Sequence, residues 1–122
     1  MIKTIAFLKA KPGLTRERFI DYYETRHAPL ILAIAPQVCD YRRNFLLTEG
    51  AIVAPAAGPL DFDVVTELWY PDRAAFAAAM AAFTDPLNAQ RIAADEENLF
   101  DRAYTRFYVV DERRSGTGGT PY

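Results

Sequence analysis

One cysteine and one histidine occur in 122 residues, and each scarcity closes off chemistry. Cys39 alone cannot form an intramolecular disulfide, and the N-terminus has neither the apolar core nor the small-residue cleavage site of a secretory signal. A reducing cytoplasm is the expected compartment. Cys39 has no activating neighbour in sequence and reads as a small buried hydrophobe rather than a nucleophile. With a single histidine, His27, and no helical Glu-x-x-His pair, no metal-ligand spacing exists, so Asp95, Glu96 and Glu97 read as a solvated helix face. Glycines cluster only in the C-terminal RRSGTGGTPY, with no strand before and no helix after, so a phosphate loop is absent too.

Charge of one sign is also in short supply. Fourteen basic residues face sixteen acidic ones, a formal net charge of -2. No block of like charge is longer than Asp95 to Glu97, which argues against nucleic acid or an anionic membrane as partner. No apolar run approaches the roughly 20 residues needed to cross a bilayer, and the Ala-rich stretch Ala74 to Ala82 is too short and too weakly apolar. What remains, 51% hydrophobic and 25% charged, is the profile of one soluble globular domain.

The pattern along the chain has six elements. Ile2 to Lys9 reads as a strand with apolar residues on both faces, ended by Lys11-Pro12-Gly13. Thr15 is an N-cap candidate, and Phe19, Tyr22, Tyr23, Arg26, His27, Leu30, Ile31 and Ile34 recur at three and four, a helix with one buried stripe. Pro29 cannot donate to the Thr25 carbonyl and crowds it, so a kink or restart is predicted around Ala28. Val38 to Leu47 and Phe62 to Tyr70 are strands, separated by an aperiodic Gly/Pro/Ala loop, Thr48 to Pro59, that is a candidate lid. Pro71-Asp72 opens an Ala-rich helix; after Thr84-Asp85-Pro86 a second piece runs to about Asn98, with Leu87, Ile92 and Leu99 expected inward. Ala103 to Val110 is the last strand. A domain over residues 1–112 and a flexible tail over 113–122 are expected.

Strand, helix, strand, strand, helix, strand is the order of the α+β ferredoxin-like fold, whose helices cover one face of an antiparallel sheet. Large apolar residues on both strand faces call for a cover on the other side, and a second copy related by a twofold axis is the simplest one. A homodimer whose sheets close into a barrel is therefore expected.

His27 is the first chemical candidate, because a neutral imidazole exchanges protons near neutral pH. The alternative is a core histidine bonded to the Thr25 carbonyl or to a tyrosine. Tyr41 and Arg43 share a face of the second strand and could hold a substrate carbonyl as charge develops; a buried tyrosine and a salt-bridged arginine are the ordinary alternative. Glu67 and Trp69 share a face of the third strand, where a carboxylate beside an indole could act as an acid of raised pKa, or simply be paired.

The stretch KPGLTRERFIDYYETRHAPL resembles the N-terminal signature of the EthD-domain family: a Lys-Pro-Gly-Leu turn, then a helix with Phe, Tyr-Tyr and His-Ala-Pro. TELWYPDRAAFAAAM and DEENLFD extend the resemblance over Ile2 to Glu112. It implies a dimeric α+β barrel and, where members are enzymes, work without metal or organic cofactor. Polyketide cyclases, dehydratases and isomerases of the muconolactone type are related; other members are accessory proteins of degradation pathways. It also implies catalytic roles for His27 and Tyr41. The expected function is a cofactor-independent lyase or isomerase acting by proton transfer on a small carbonyl-bearing aromatic or lactone intermediate, with Tyr23, Arg43, Glu67 and Trp69 contacting the substrate. An accessory protein binding a hydrophobic pathway intermediate and a cofactorless monooxygenase are the alternatives; haem on His27 has no other support in the sequence.

Overall fold

A computed structural model describes residues 1–116. Residues 117–122, most of the expected tail, lie outside it. Four antiparallel strands, β1 (Ile2–Leu8), β2 (Asp40–Phe45), β3 (Val64–Tyr70) and β4 (Arg106–Val110), form one sheet in the order β2-β3-β1-β4. Helices α1 (Arg16–Tyr22) and α2 (Ala28–Ile34), joined by a π-helical turn over Tyr23–His27, and α3 (Arg73–Thr84) and α4 (Pro86–Glu96) complete the chain order. This is the ferredoxin-like α+β arrangement that the sequence order predicts.

Register sets which residues see the helices. Thr4 pairs with Leu68 and Ala6 with Thr66, while Tyr41 pairs with Leu68 and Arg43 with Thr66. The even positions of β1 and β3 therefore join the odd positions of β2 on the helix face, where Leu8, Val64, Phe19, Tyr23, Leu99 and Phe100 form one core cluster. A second cluster holds Ile31, Ala35, Leu68, Tyr70 and Ala79. Ala79, with no exposure, lets α3 approach the sheet closely, which is why this helix is alanine-rich.

Thr15 is the N-cap expected, accepting from the Arg18 amide, and Asp72 and Asp85 cap α3 and α4 in the same way, accepting from Ala75 and Asn88. Several boundaries differ. β2 stops at Phe45 and β3 begins at Val64, because Leu46 bonds to Asp63 and then the chain runs exposed and irregular. The last strand begins only at Arg106, after a 3₁₀ turn at Arg102–Tyr104. Leu87 is exposed rather than inward, since Pro86 starts α4 with Leu87 on its outer side. Cys39 is exposed, its thiol donating to the Trp69 carbonyl, and so is not the buried hydrophobe expected.

Candidate functional site

Pro29 shapes the site before any reactive group is considered. It falls in the first turn of α2, where a missing N–H costs nothing. The turn before it widens instead: the Ala28 amide reaches back to the Tyr23 carbonyl, five residues away. The restart expected around Ala28 is thus a π-turn, and its two ends, Tyr23 and His27, are both buried.

His27 does not bond to the Thr25 carbonyl. Its Nδ1 lies 2.6 Å from Asp95 Oδ2 at the end of α4. A carboxylate only accepts, so Nδ1 carries the proton and Nε2 is left as the basic nitrogen. Asp95 is fixed in turn by the Tyr22 hydroxyl, which donates to Oδ1 at 3.0 Å. The imidazole sits edge-on between Tyr23 and Phe100, with centroids 4.9 and 5.1 Å away. Burial lowers the His27 pKa below its ordinary value, and Asp95 offsets only part of that, so the ring is a neutral base near pH 7.

The His27 ring lines a cavity of about 310 Å³ between the helix face of the sheet and α2, α3 and α4. Its walls are mostly apolar, Leu8, Ile31, Leu68, Met80, Phe83 and Ile92 among them. Thr105 and Phe107, both exposed, mark its opening beside β4. Where the π-helical turn meets the sheet, Tyr23, Tyr41 and Thr66 line it with a chain of hydroxyls: Tyr23 is 2.8 Å from Tyr41 and 2.6 Å from Thr66. Burial pushes the Tyr23 phenol up to about 12, and raises Tyr41 well above its usual value, helped by the adjacent Tyr23. Both remain O–H donors at neutral pH.

The structure thus brings His27, Tyr41 and Tyr23 to one cavity. Arg43 stands beside it, its guanidinium 4.8 Å over the Tyr41 ring, and is held by Glu24 through contacts of 2.6 and 3.0 Å. Glu67 and Trp69 are not part of this grouping. Strand alternation puts them on the opposite face of the sheet, where Glu67 accepts from Lys3 at 2.8 Å and Trp69 packs under the same ammonium at 4.5 Å. Burial works to raise the Glu67 carboxyl, but hydrogen bonds from Lys3 and Asn44 prevail and hold it below its ordinary value, the reverse of the acid expected there. The loop Thr48 to Pro59, the candidate lid, contributes nothing to the cavity wall.

Two residues of the site escape the sequence reading. Asp95 and Glu96 read as a solvated acidic face, yet Asp95 holds His27 and Glu96 lines the cavity. The signal was periodic: Ile92, Asp95, Glu96 and Leu99 fall at the three- and four-residue spacing of an inward stripe. Among the described residues no group of three or more potential ligands is placed to hold a metal ion.

The model of the EthD domain matches residues 11–103. The chain belongs to the EthD-domain family. Among curated proteins, none matches this EthD-domain chain in sequence. Solved structures resemble it in fold. An EthD-like protein from Ralstonia eutropha JMP134 has a TM-score of 0.57 and 22% identity, with 93% of this chain and 95% of that one covered. A dimeric ferredoxin-like protein from Thermobifida fusca YX has a TM-score of 0.56 and 16% identity over 89% and 88% of the two chains. A hydroxynitrile lyase from Passiflora edulis has a TM-score of 0.56 and 17% identity over 93% and 96%. At these identities the likeness is one of fold. No helix among the described residues is long and apolar enough to cross a membrane.

Proposed function

We propose that this EthD-domain protein is a cofactor-independent lyase or isomerase that moves a proton at the carbon next to a carbonyl in a small, mostly apolar substrate. The observation that carries this reading is the His27–Asp95 pair opening on the cavity. His27 Nε2 takes the proton from carbon, and the imidazolium that forms is balanced by Asp95. Electron density moves onto the carbonyl oxygen, which accepts from the Tyr41 hydroxyl. Tyr41 accepts from Tyr23 and Tyr23 from Thr66, so the chain of hydroxyls is polarised toward the oxyanion. His27 then returns its proton, to another carbon in an isomerisation or to a leaving oxygen in an elimination. The existence of a lyase on the same fold agrees with this reading.

Proton transfer is testable before the natural substrate is known. In D2O, the protein should speed deuterium exchange into the methyl group of 2-acetylnaphthalene, followed by NMR, and His27→Asn should remove the acceleration. Equal exchange rates for the two proteins would sink the mechanism.

The same reading pairs two copies through the sheet face opposite the helices. Phe7 stacks there on Phe62 and Tyr108 at 5.1 and 6.3 Å, and Tyr108 is 48% exposed, an apolar area in want of a cover. A structural relative is described as dimeric. Light scattering should return twice the chain mass of 13.7 kDa; a monomer mass in dilute solution would end the proposal.

A further inference from the structure

The cavity is polar at several points and cationic at none. Its lining contains no lysine or arginine, while Glu96 contributes a carboxyl directly to the wall and Asp95 sits behind His27. The two arginines nearby are both occupied. Arg102 meets Glu96 at 3.3 Å from outside the wall, with half its side chain exposed, and Arg43 is bound to Glu24. A ligand carboxylate entering past Thr105 and Phe107 would therefore lose its water and meet the Glu96 carboxylate with no cation in the lining to receive it.

We infer that the cavity accepts uncharged ligands and rejects carboxylates, and that Glu96 is the residue that sets this preference. The ligand class is a neutral aromatic-sized carbonyl compound whose oxygen meets Tyr41 and whose hydroxyl or N–H, where it has one, donates to Glu96. Burial, aided by Asp95 and opposed by Arg102, raises the Glu96 pKa, as a carboxyl short of cations should behave. This inference rests on the proposed function for the identity of the site, but it concerns binding alone.

Two probes of the same shape separate charge from fit: 2-naphthamide, which is neutral, and 2-naphthoate, ionised at about pH 8. Binding is read from the ring signals of His27, the chain's only histidine, with calorimetry as a second readout. Naphthamide should bind more tightly by on the order of a hundredfold, the size of a short-range like-charge contact that Arg102 partly screens. Glu96→Gln should recover at least about tenfold of the naphthoate affinity and narrow the ratio between the two probes by at least that much. Equal affinities for the two probes in the wild type, an unchanged ratio in Glu96→Gln, or no binding of naphthamide at its solubility limit would each overturn the inference. If Glu96→Gln fails to fold, Arg102→Met takes its place: removing the cation that meets Glu96 should widen the ratio, and an unchanged ratio would overturn the assignment to Glu96. Loss of the deuterium exchange in His27→Asn tests the mechanism and leaves this ratio untouched, so the two fail separately.

Discussion

The two faces of the sheet handle ionisable groups in opposite ways. On the face away from the helices, Lys3 is 8% exposed yet charged, bridging Glu67 and Glu112 over the Trp69 ring. Burial pushes its ammonium down, but the two carboxylates prevail and raise it, while Glu67 is lowered. On the helix face every resolved shift within the cavity goes the other way: His27 is lowered, and Tyr23, Tyr41 and Glu96 are raised. One face pairs its charges; on the other, His27, Tyr23 and Tyr41 stay neutral and able to give or take a proton. A burial value alone therefore does not distinguish a structural ion pair from a reactive group, whereas the contest between burial and a carboxylate partner, won by the partner at Lys3 and by burial at His27, does.

The strongest way to break this contrast is to remove the base. His27→Asn should lower the deuterium exchange rate by about 10²- to 10⁴-fold, the usual range for a lost general base, with the far-UV spectrum unchanged. Asp95→Asn should slow exchange less. It should also drop the His27 titration further below its ordinary value, read by NMR, because Asp95 acts to raise it. On the opposite face, Lys3→Met should leave exchange alone but cost about 1–3 kcal/mol in urea melts, since it strands two carboxylates. Tyr23→Phe breaks the hydroxyl chain and should cost about 1 kcal/mol, while lowering exchange through Tyr41. Smallest is the pH effect on stability. The folded His27 has a pKa below its ordinary value, so between the two the unfolded chain binds the proton and the folded chain does not. Stability should fall as pH drops through about 6.5 and level off once the folded ring also titrates, with a slope of at most about 1.4 kcal/mol per pH unit. His27→Asn should lack this component in parallel melts.

Much of the frame could be read from the chain. The alternation in β1 and β3, the stripe from Phe19 to Ile34, and the prolines at 29 and 86 encode elements through local rules, and the order of elements then admits few folds. Strand register was less accessible. That Tyr41 and Thr66 share the helix face while Glu67 and Trp69 turn away depends on pairing between distant segments, and a one-residue choice sends a side chain to the other face. Asp95 was obscured for a different reason: an acidic side chain on a helix is usually solvated, and only the position of the Tyr22 hydroxyl and the His27 ring makes its burial favourable.

The π-turn makes the site a matter of chain length as well as chemistry. Thr25 is exposed within that turn. Deleting it would remove no group that lines the cavity and would let the segment close into a regular helix, with Tyr23 and Ala28 still one turn apart, because a widened turn is how a helix absorbs one extra residue. Only residues inside the turn would change place, and His27, its last residue, would shift against the Asp95 carboxylate. The spare residue thus sets where the histidine stands without contributing an atom to the cavity wall.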